Sequence, residues 1–325
     1  MSDFRWGVIG TGSIARAFAR DLKFTQGHVI AAVGSRSLDT AQEFCDQFGG
    51  KAFGSYEALV QQDIDGVYVA TPHPFHCPNT LLALENNKPV LCEKPFSVNA
   101  KESAAMIAKA REKNLLLVEA MWSRFLPHYR LINQLLQQGV LGEVRFLYAD
   151  HGQKLPAERH PRLHLPELAG GALLDLGIYP ISLSYLLFGK PKTITARASF
   201  TSSGVDESTS VIFEYDQNYQ ANLHTTLTLK TPCSATIIGT EATLEIQGSF
   251  YTPTSMTLKY LNGEVIDYPK EYLGHGLREQ AIEFARLIKE GKKESELISL
   301  ADSHSIMETM DEIRKQIGLA YPFEK

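Results

Sequence analysis

The sequence predicts two halves of different kinds, an α/β half built on a doubly wound parallel sheet and then an α+β half built on an antiparallel sheet. Three observations carry this. A short apolar run, Trp6 to Ile9, leads through Gly10-Thr11-Gly12-Ser13-Ile14-Ala15 into a stretch of helical period from Ile14 to Phe24. From there to about Trp122 apolar runs alternate with helical patterns, the rhythm of a parallel sheet with helices on both faces. After Trp122 alternating strand-like stretches follow one another with turn residues between them, which implies antiparallel pairing.

Each element has its own signal. The first-half strands are Arg5–Ile9, His28–Gly34, Gly66–Thr71, Pro89–Cys92 and Leu115–Ala120, short and apolar as expected where both faces are covered. The helices between them are Leu38–Phe48, Phe75–Asn87 and Asn99–Lys113, with Asn99 as an N-cap and Gly49-Gly50 as a stop. Leu126–Gln138 is one more amphipathic helix, ended by Gly139. The second-half stretches are Glu143–His151, Lys192–Thr201, Ser208–Asp216, Tyr219–Leu229, Ser234–Gln247 and Met256–Pro269, and two helices, His275–Glu290 and Ser299–Ile317, finish the chain. The domains expected are residues 1–122 and 123–325, with the last helix able to pack back on the first.

Composition excludes several function classes. Against 32 basic residues stand 37 acidic ones, a net charge of -5 with no basic run, so nucleic acid is not an expected partner. Met1 to Arg5 has an acid and no apolar core, which argues against a secretory signal. The most membrane-like segment, Ala169–Gly189, contains Asp175, Pro180 and glycines, and reads as a buried helix rather than a span. Cys45, Cys77, Cys92 and Cys233 lack paired spacing and suit the reducing cytoplasm. His160 and His164 have metal-like spacing, but Pro161 lies between them and no third ligand is near, so no metal is expected. No Gly-x-Ser-x-Gly elbow points to a hydrolase.

The glycine turn points instead to a dinucleotide. Gly10 allows the sharp turn, Gly12 lets the backbone approach a pyrophosphate, and Ala15 keeps the helix close to the sheet, with Thr11, Ser13 and Ile14 completing the cradle at the helix N-terminus. An acid at the end of the second strand would select NAD by binding the ribose hydroxyl. Here stand Ser35 and Arg36, donors suited to a 2′-phosphate, so NADP is expected over NAD. Thr71, Pro72, His73 and His76 follow a strand end and line the mouth of that site, and Glu93 and Lys94 follow another. Lys94 there could hold a substrate hydroxyl, or simply pair with Glu93. Asp175 and Tyr179 are four residues apart and would share a face of a continuous helix, either as functional groups or as a core pair. Pro180 complicates that helix, because inside it the carbonyl of Leu176 loses its donor.

In combination, Gly10-Thr11-Gly12-Ser13-Ile14-Ala15, Ala70-Thr71-Pro72, Glu93-Lys94-Pro95 and Gly170-Gly171-Ala172-Leu173-Leu174-Asp175-Leu176-Gly177-Ile178-Tyr179 resemble the glucose-fructose oxidoreductase / inositol dehydrogenase (Gfo/Idh/MocA) family. Val90–Pro95, Glu119–Phe125 and Tyr179 look most like its dihydrodiol dehydrogenase and D-xylose 1-dehydrogenase branch. The resemblance implies an N-terminal Rossmann domain, and a C-terminal domain whose large, mostly antiparallel open sheet packs on a second subunit as a homodimer or higher oligomer. It implies that Lys94 is catalytic and that Asp175 and Tyr179 face the nicotinamide. Many members carry His where this chain has Tyr179, which favours pyranoses or trans-dihydrodiols over cyclitols. The activity expected is NADP-dependent oxidation of a cyclic alcohol or sugar. Tyr179 would take the hydroxyl proton, Lys94 would favour the phenolate, Asp175 would orient the sugar or Lys94, Trp122 and Phe125 would wall the pocket, and Trp122 and Arg124 would meet the cofactor. The rival readings are another sugar or cyclitol dehydrogenase, an aldose–aldose oxidoreductase of the same family, and an NADP-binding sensor without catalysis.

Overall fold

The computed structural model describes residues 3–324, so part of the Met1–Arg5 stretch lies outside the described residues. The first half lays down β1 (Phe4–Ile9), α1 (Ser13–Leu22), β2 (His28–Gly34), α2 (Leu38–Phe48), β3 (Lys51–Phe53), α3 (Tyr56–Val60), β4 (Gly66–Val69), α4 (His76–Glu85), β5 (Val90–Glu93), α5 (Ala100–Glu112) and β6 (Leu117–Ala120). The strands form one parallel sheet in the order β3-β2-β1-β4-β5-β6. Its order reverses between β1 and β4, and in such a sheet ligands bind beyond the carboxyl ends of the strands at that reversal. The caps read from the sequence are made: Asn99 accepts from the Glu102 N–H at 3.0 Å, and Gly49 ends α2 at φ 86°. The strand β3 escaped the sequence reading because three residues carry no period.

The second half follows with α6 (Pro127–Gln137), β7 (Val144–Gly152), α7 (Ile178–Phe188), β8 (Thr193–Phe200), β9 (Asp206–Glu214), β10 (Gln220–Thr226), β11 (Ala235–Gly239), β12 (Ala242–Ile246), β13 (Met256–Tyr260), β14 (Val265–Tyr268), α8 (Arg278–Lys289) and α9 (Leu300–Ile317). Its eight-stranded sheet runs β14-β13-β12-β11-β7-β10-β9-β8, antiparallel except where β10 pairs parallel to β7. Ser234–Gln247 and Met256–Pro269, each read as one long stretch, are hairpins. The second turns at Asn262-Gly263, where Gly263 takes φ 91° and Asn262 Oδ1 accepts the Glu264 N–H at 2.9 Å. The apolar segment around α7 is a buried core helix, with Ile178 to Tyr185 all buried.

Two compact units result, residues 1–125 with 273–304, and 126–272 with 305–325. The expected boundary after residue 122 lies close to this division, and the segment that rejoins the first unit is 273–304 with α8, where the last helix was the one expected to be able to do so. The reason is that α8 offers Phe284 to β1, its ring 5.2 Å from Trp6 and 6.2 Å from Phe4, while a Cβ on Gly66 would lie 2.7 Å from the Phe284 ring and is absent. The buried carboxylate of Asp21 on α1 then accepts the backbone N–H groups of His275, Gly276 and Arg278 at 2.7, 2.9 and 2.9 Å. Hydrophobic periodicity identified the helix but carries no information on which core it joins.

In the second unit, Asp206 performs the same kind of capping. Fully buried, it accepts the Leu173 N–H at 2.7 Å and the Thr209 hydroxyl at 2.8 Å. A Cβ on Gly171, at φ +117°, would lie 2.0 Å from its Oδ1, so glycine alone lets the chain close on the carboxylate. Burial pushes the Asp206 carboxyl up to about 7, against the pull of the Thr209 hydroxyl and the Leu173 N–H. The native state thus holds this proton more tightly than the unfolded chain, in which an Asp titrates at 3.8. The stability it contributes is fully present below pH 3.8 and is lost as pH rises through about 7. Melting curves of the parent and Asp206→Asn should therefore show the difference in Tm moving against the parent across that window and levelling above it, by about 2–4 °C for each kcal/mol. A difference moving in the parent's favour as pH rises would contradict this.

Candidate active site

The first unit gathers its site residues along the carboxyl edge of the parallel sheet. Gly10, at φ +101°, stands where a Cβ would meet the Ala70 carbonyl oxygen at 2.8 Å. Around the Cβ position of Gly12 nothing lies within 4 Å. Helix α1 opens at Gly12 with no side-chain cap and no acid in its first turn, leaving its N–H groups facing that open space beside Thr11, Ser13 and Ile14. Ser35 is buried at the end of β2 and Arg36 is exposed, near enough to Tyr56 to act on its phenol. Neither position at the end of β2 is an acid that would repel a 2′-phosphate. These residues fit a dinucleotide pyrophosphate on α1 and a phosphorylated ribose at Arg36.

The ends of β4 and β5 are tied together. His76 has ring nitrogens 2.9 Å from the Thr71 carbonyl oxygen and 2.8 Å from that of Pro95, and Asn79 donates to the Thr71 hydroxyl at 3.2 Å. His73 is buried with its ring 5.7 Å from that of His76, beside Pro72. Glu93 accepts the Tyr68 hydroxyl and, at 3.3 Å, the Lys94 backbone N–H. Glu119 on β6 accepts the Phe96 N–H at 3.1 Å, and burial raises its carboxyl to about 7, partly offset by Ser303, the Phe96 N–H and the Arg124 charge. Lys94 is thereby held on a loop fixed by Glu93 and Glu119, with its side chain half-buried. Beyond β6, the two rings expected to wall the pocket and the guanidinium expected to meet the cofactor are all buried, Trp122 at 2 %, Phe125 at 0 % and Arg124 at 6 % exposure. The ring of His275 lies 4.9 Å from that of Trp122.

In the second unit Pro180 shapes the site. Leu173–Gly177 form a wide π-type turn that runs into α7, with Tyr179 and Pro180 in the first turn of that helix. The Leu176 carbonyl, which Pro180 cannot serve, takes a hydrogen bond from His151 Nδ1 at 3.1 Å. A carbonyl only accepts, so Nδ1 carries the proton. His151 Nε2 then accepts from the Gln153 amide at 2.9 Å, which also donates to the Tyr251 hydroxyl at 2.9 Å. Tyr179, 5 % exposed, packs its ring 5.2 Å from His151 and 4.5 Å from Tyr251. Asp175 pairs with Arg162 at 3.0 Å. The sequence reading missed Arg162, His151, Gln153 and Tyr251. His151 was legible only as a strand end, Arg162 lies in the single 3-10 turn Pro161–His164, and the other two lie in loops, where spacing carries no signal. His164, the other half of the apparent metal pair, contacts the Leu155 carbonyl oxygen at 2.8 Å.

The eight-stranded sheet turns Val211 and Phe213 inward, at 4 % and 0 % exposure, and leaves Ile212 outward at 43 %. Of these three the outer face therefore carries Ile212 alone, because successive side chains on a strand point to opposite faces. Tyr148 joins it at 51 %, among Thr195, Arg197, Ser210, Asn222 and His224.

Residues 4–121 match the oxidoreductase family with NAD-binding Rossmann fold, and residues 129–245 match the GFO/IDH/MocA C-terminal domain. The chain is 37% identical to trans-1,2-dihydrobenzene-1,2-diol dehydrogenase of Xenopus laevis, over 98% of this chain and 99% of that one. Against the Homo sapiens enzyme of that name identity is 32%, over 99% of each. Among solved structures, KijD10, a 3-ketoreductase from Actinomadura kijaniata in complex with NADP and TDP-benzene, superposes with TM-score 0.86 at 26% identity, over 97% of this chain and 98% of that one. Aldose-aldose oxidoreductase from Caulobacter crescentus shares the fold, with TM-score 0.87 at 23% identity over 97% of each chain. With both halves matched and relatives this similar along the full length, the chain belongs to the Gfo/Idh/MocA family of oxidoreductases, as its motifs implied.

Proposed function

We propose that the chain is a cytoplasmic NADP-dependent dehydrogenase of a cyclic secondary alcohol, a pyranose or a trans-dihydrodiol, and that it works as a homodimer or higher homo-oligomer. The observation that carries the reading is Tyr179, fixed at the head of α7 among His151 and Tyr251 with Asp175 one turn before it. Bound NADP would supply the hydride acceptor. Tyr179 takes the hydroxyl proton, Lys94 holds the substrate oxygen and favours the phenolate, and Asp175, steadied by Arg162, orients the ring. Four free, buried cysteines suit a reducing compartment. The 3-ketoreductase bound to NADP and the dihydrodiol dehydrogenases support cofactor and substrate class.

Mixing the protein with NADP and a panel of pentoses, hexoses and diols, followed at the nicotinamide absorbance, tests the activity, and no change with any of them would refute it. Arg36→Ala should weaken NADP by about 1.5–3 kcal/mol, the worth of a charge-assisted bond, and leave NAD little changed. Equal loss for both cofactors would remove Arg36 from the 2′-phosphate.

Tyr179→Phe keeps the ring packing and removes the proton acceptor, so turnover should fall by about 10²–10⁴ with NADP affinity steady. Lys94→Met should be at least as damaging and push the residual pH optimum upward. A lowered Tm with turnover per folded molecule near the parent's would make Tyr179 a core contact instead.

Ile212 and Tyr148 on the open sheet face are the apolar contacts proposed for a second copy. Light scattering at micromolar concentration should report a dimer or larger. A monomer there would count against the assembly.

A further inference from the structure

The carboxyl edge of the parallel sheet offers its ligand a different ring from the one its motifs suggest. Lys94 follows β5 and Trp122 follows β6, two strands paired with Glu93 opposite Ala120, so both sit beyond the same edge. An indole in that place would press an apolar face on a substrate. Yet Trp122 is 2 % exposed, and one side chain lying against it, ring centroids 4.9 Å apart and planes at 41°, is the exposed His275. The surface presented there is an imidazole backed by an indole.

That placement is built by the fold. Gly274 and Gly276 flank His275 at φ +88° and +110°. The Asp21 carboxylate accepts the backbone N–H groups of His275, Gly276 and Arg278, and a Cβ on Gly274 would lie 2.4 Å from its Oδ1. A buried carboxylate of which 1 % of the side chain is exposed thus holds the backbone of one loop, fixing where an exposed ring points. Burial lowers the proton affinity of His275, with the Asp21 charge opposing, so near neutral pH the ring is uncharged. It then presents one N–H donor and one lone-pair acceptor.

We propose that His275 is a substrate-binding residue that hydrogen-bonds ring hydroxyls, that Asp21 is its positioning residue, and that the chain therefore favours polyhydroxylated pyranoses over the less hydroxylated trans-dihydrodiols. Each sugar hydroxyl both donates and accepts, which a neutral imidazole matches and an indole face does not. The proposal rests on the reading of this edge as the place where the alcohol is oxidised.

Steady-state kinetics of the full chain with NADP, on pyranoses and a trans-dihydrodiol, test it with His275→Phe, His275→Asn and Asp21→Asn. His275→Phe keeps a ring on Trp122 but loses its hydrogen bonds. Its KM for the preferred pyranose should rise about threefold to tenfold per lost bond. The dihydrodiol KM should stay level or fall, and NADP affinity should hold. His275→Asn retains a donor and an acceptor and should recover part of the loss, and Asp21→Asn should shift the pyranose KM in the same direction as His275→Phe. Melting temperatures identify any variant that fails to fold, and His275→Asn then stands in, with a raised pyranose KM at unchanged dihydrodiol KM as its expected result. A parent that oxidises pyranoses while folded His275 variants match it in KM overturns the role of His275 alone. A parent active only on dihydrodiols overturns the substrate class. A parent inert toward the whole panel overturns the dehydrogenase reading and this inference with it.

Discussion

Backbone N–H groups that leave a helix or strand need an acceptor when water is excluded, and in this chain carboxylates supply it at several loops around the site. Asp21 holds His275, Gly276 and Arg278; Glu93 and Glu119 hold Lys94 and Phe96; Asp206 holds Leu173; and Asp150 accepts from Cys233 and Ser234 at 2.8 and 3.2 Å. A charged acceptor makes a shorter and stronger bond than a neutral one, which suits segments lacking a ladder of their own. Where the carboxylate is deeply buried, as for Asp206 and Glu119, desolvation raises its pKa to about 7. Rigidity of the site loops and sensitivity to pH thus come from the same groups.

The glycines follow from this arrangement. At Gly171 and Gly274 a Cβ would strike the capping carboxylate itself. At Gly10 it would strike the Ala70 carbonyl, whereas at Gly12 it would project into open space in front of a helix N-terminus. Three of these glycines let the chain close on itself, and the fourth leaves room for a ligand. The same residue type serves packing in one place and binding in another, and the surrounding atoms decide which.

In the second unit a missing donor organises the aromatic cluster. Pro180 removes the N–H that would serve the Leu176 carbonyl, and His151 takes over. Once its Nδ1 is committed as donor, Nε2 must accept, Gln153 supplies the proton, and the second amide hydrogen reaches Tyr251. Tyr179 is therefore flanked by two polar rings whose orientation is set by hydrogen bonds. The wall around the proposed base is aromatic in shape and polar in chemistry.

Local chemistry made much of the molecule legible in the sequence. The strand, glycine turn and helix at Val8–Ala15, the caps at Asn99 and Gly49, the absence of an acid at Ser35-Arg36 and the alternation in β9 all depend on residues close in the chain. The family motifs located Lys94, Asp175 and Tyr179 by the same proximity. Tertiary structure alone decided whatever depends on distant residues. Which core receives α8 is set by Phe284 meeting Trp6; that His275 lies on Trp122 is set by a loop about 150 residues downstream; and that Asp175 meets Arg162 is set by a segment too short to show a period. Periodicity and turn chemistry report the conformation a segment prefers, whereas pairing between distant segments depends on shape and on unmet hydrogen bonds that exist only once the chain has folded.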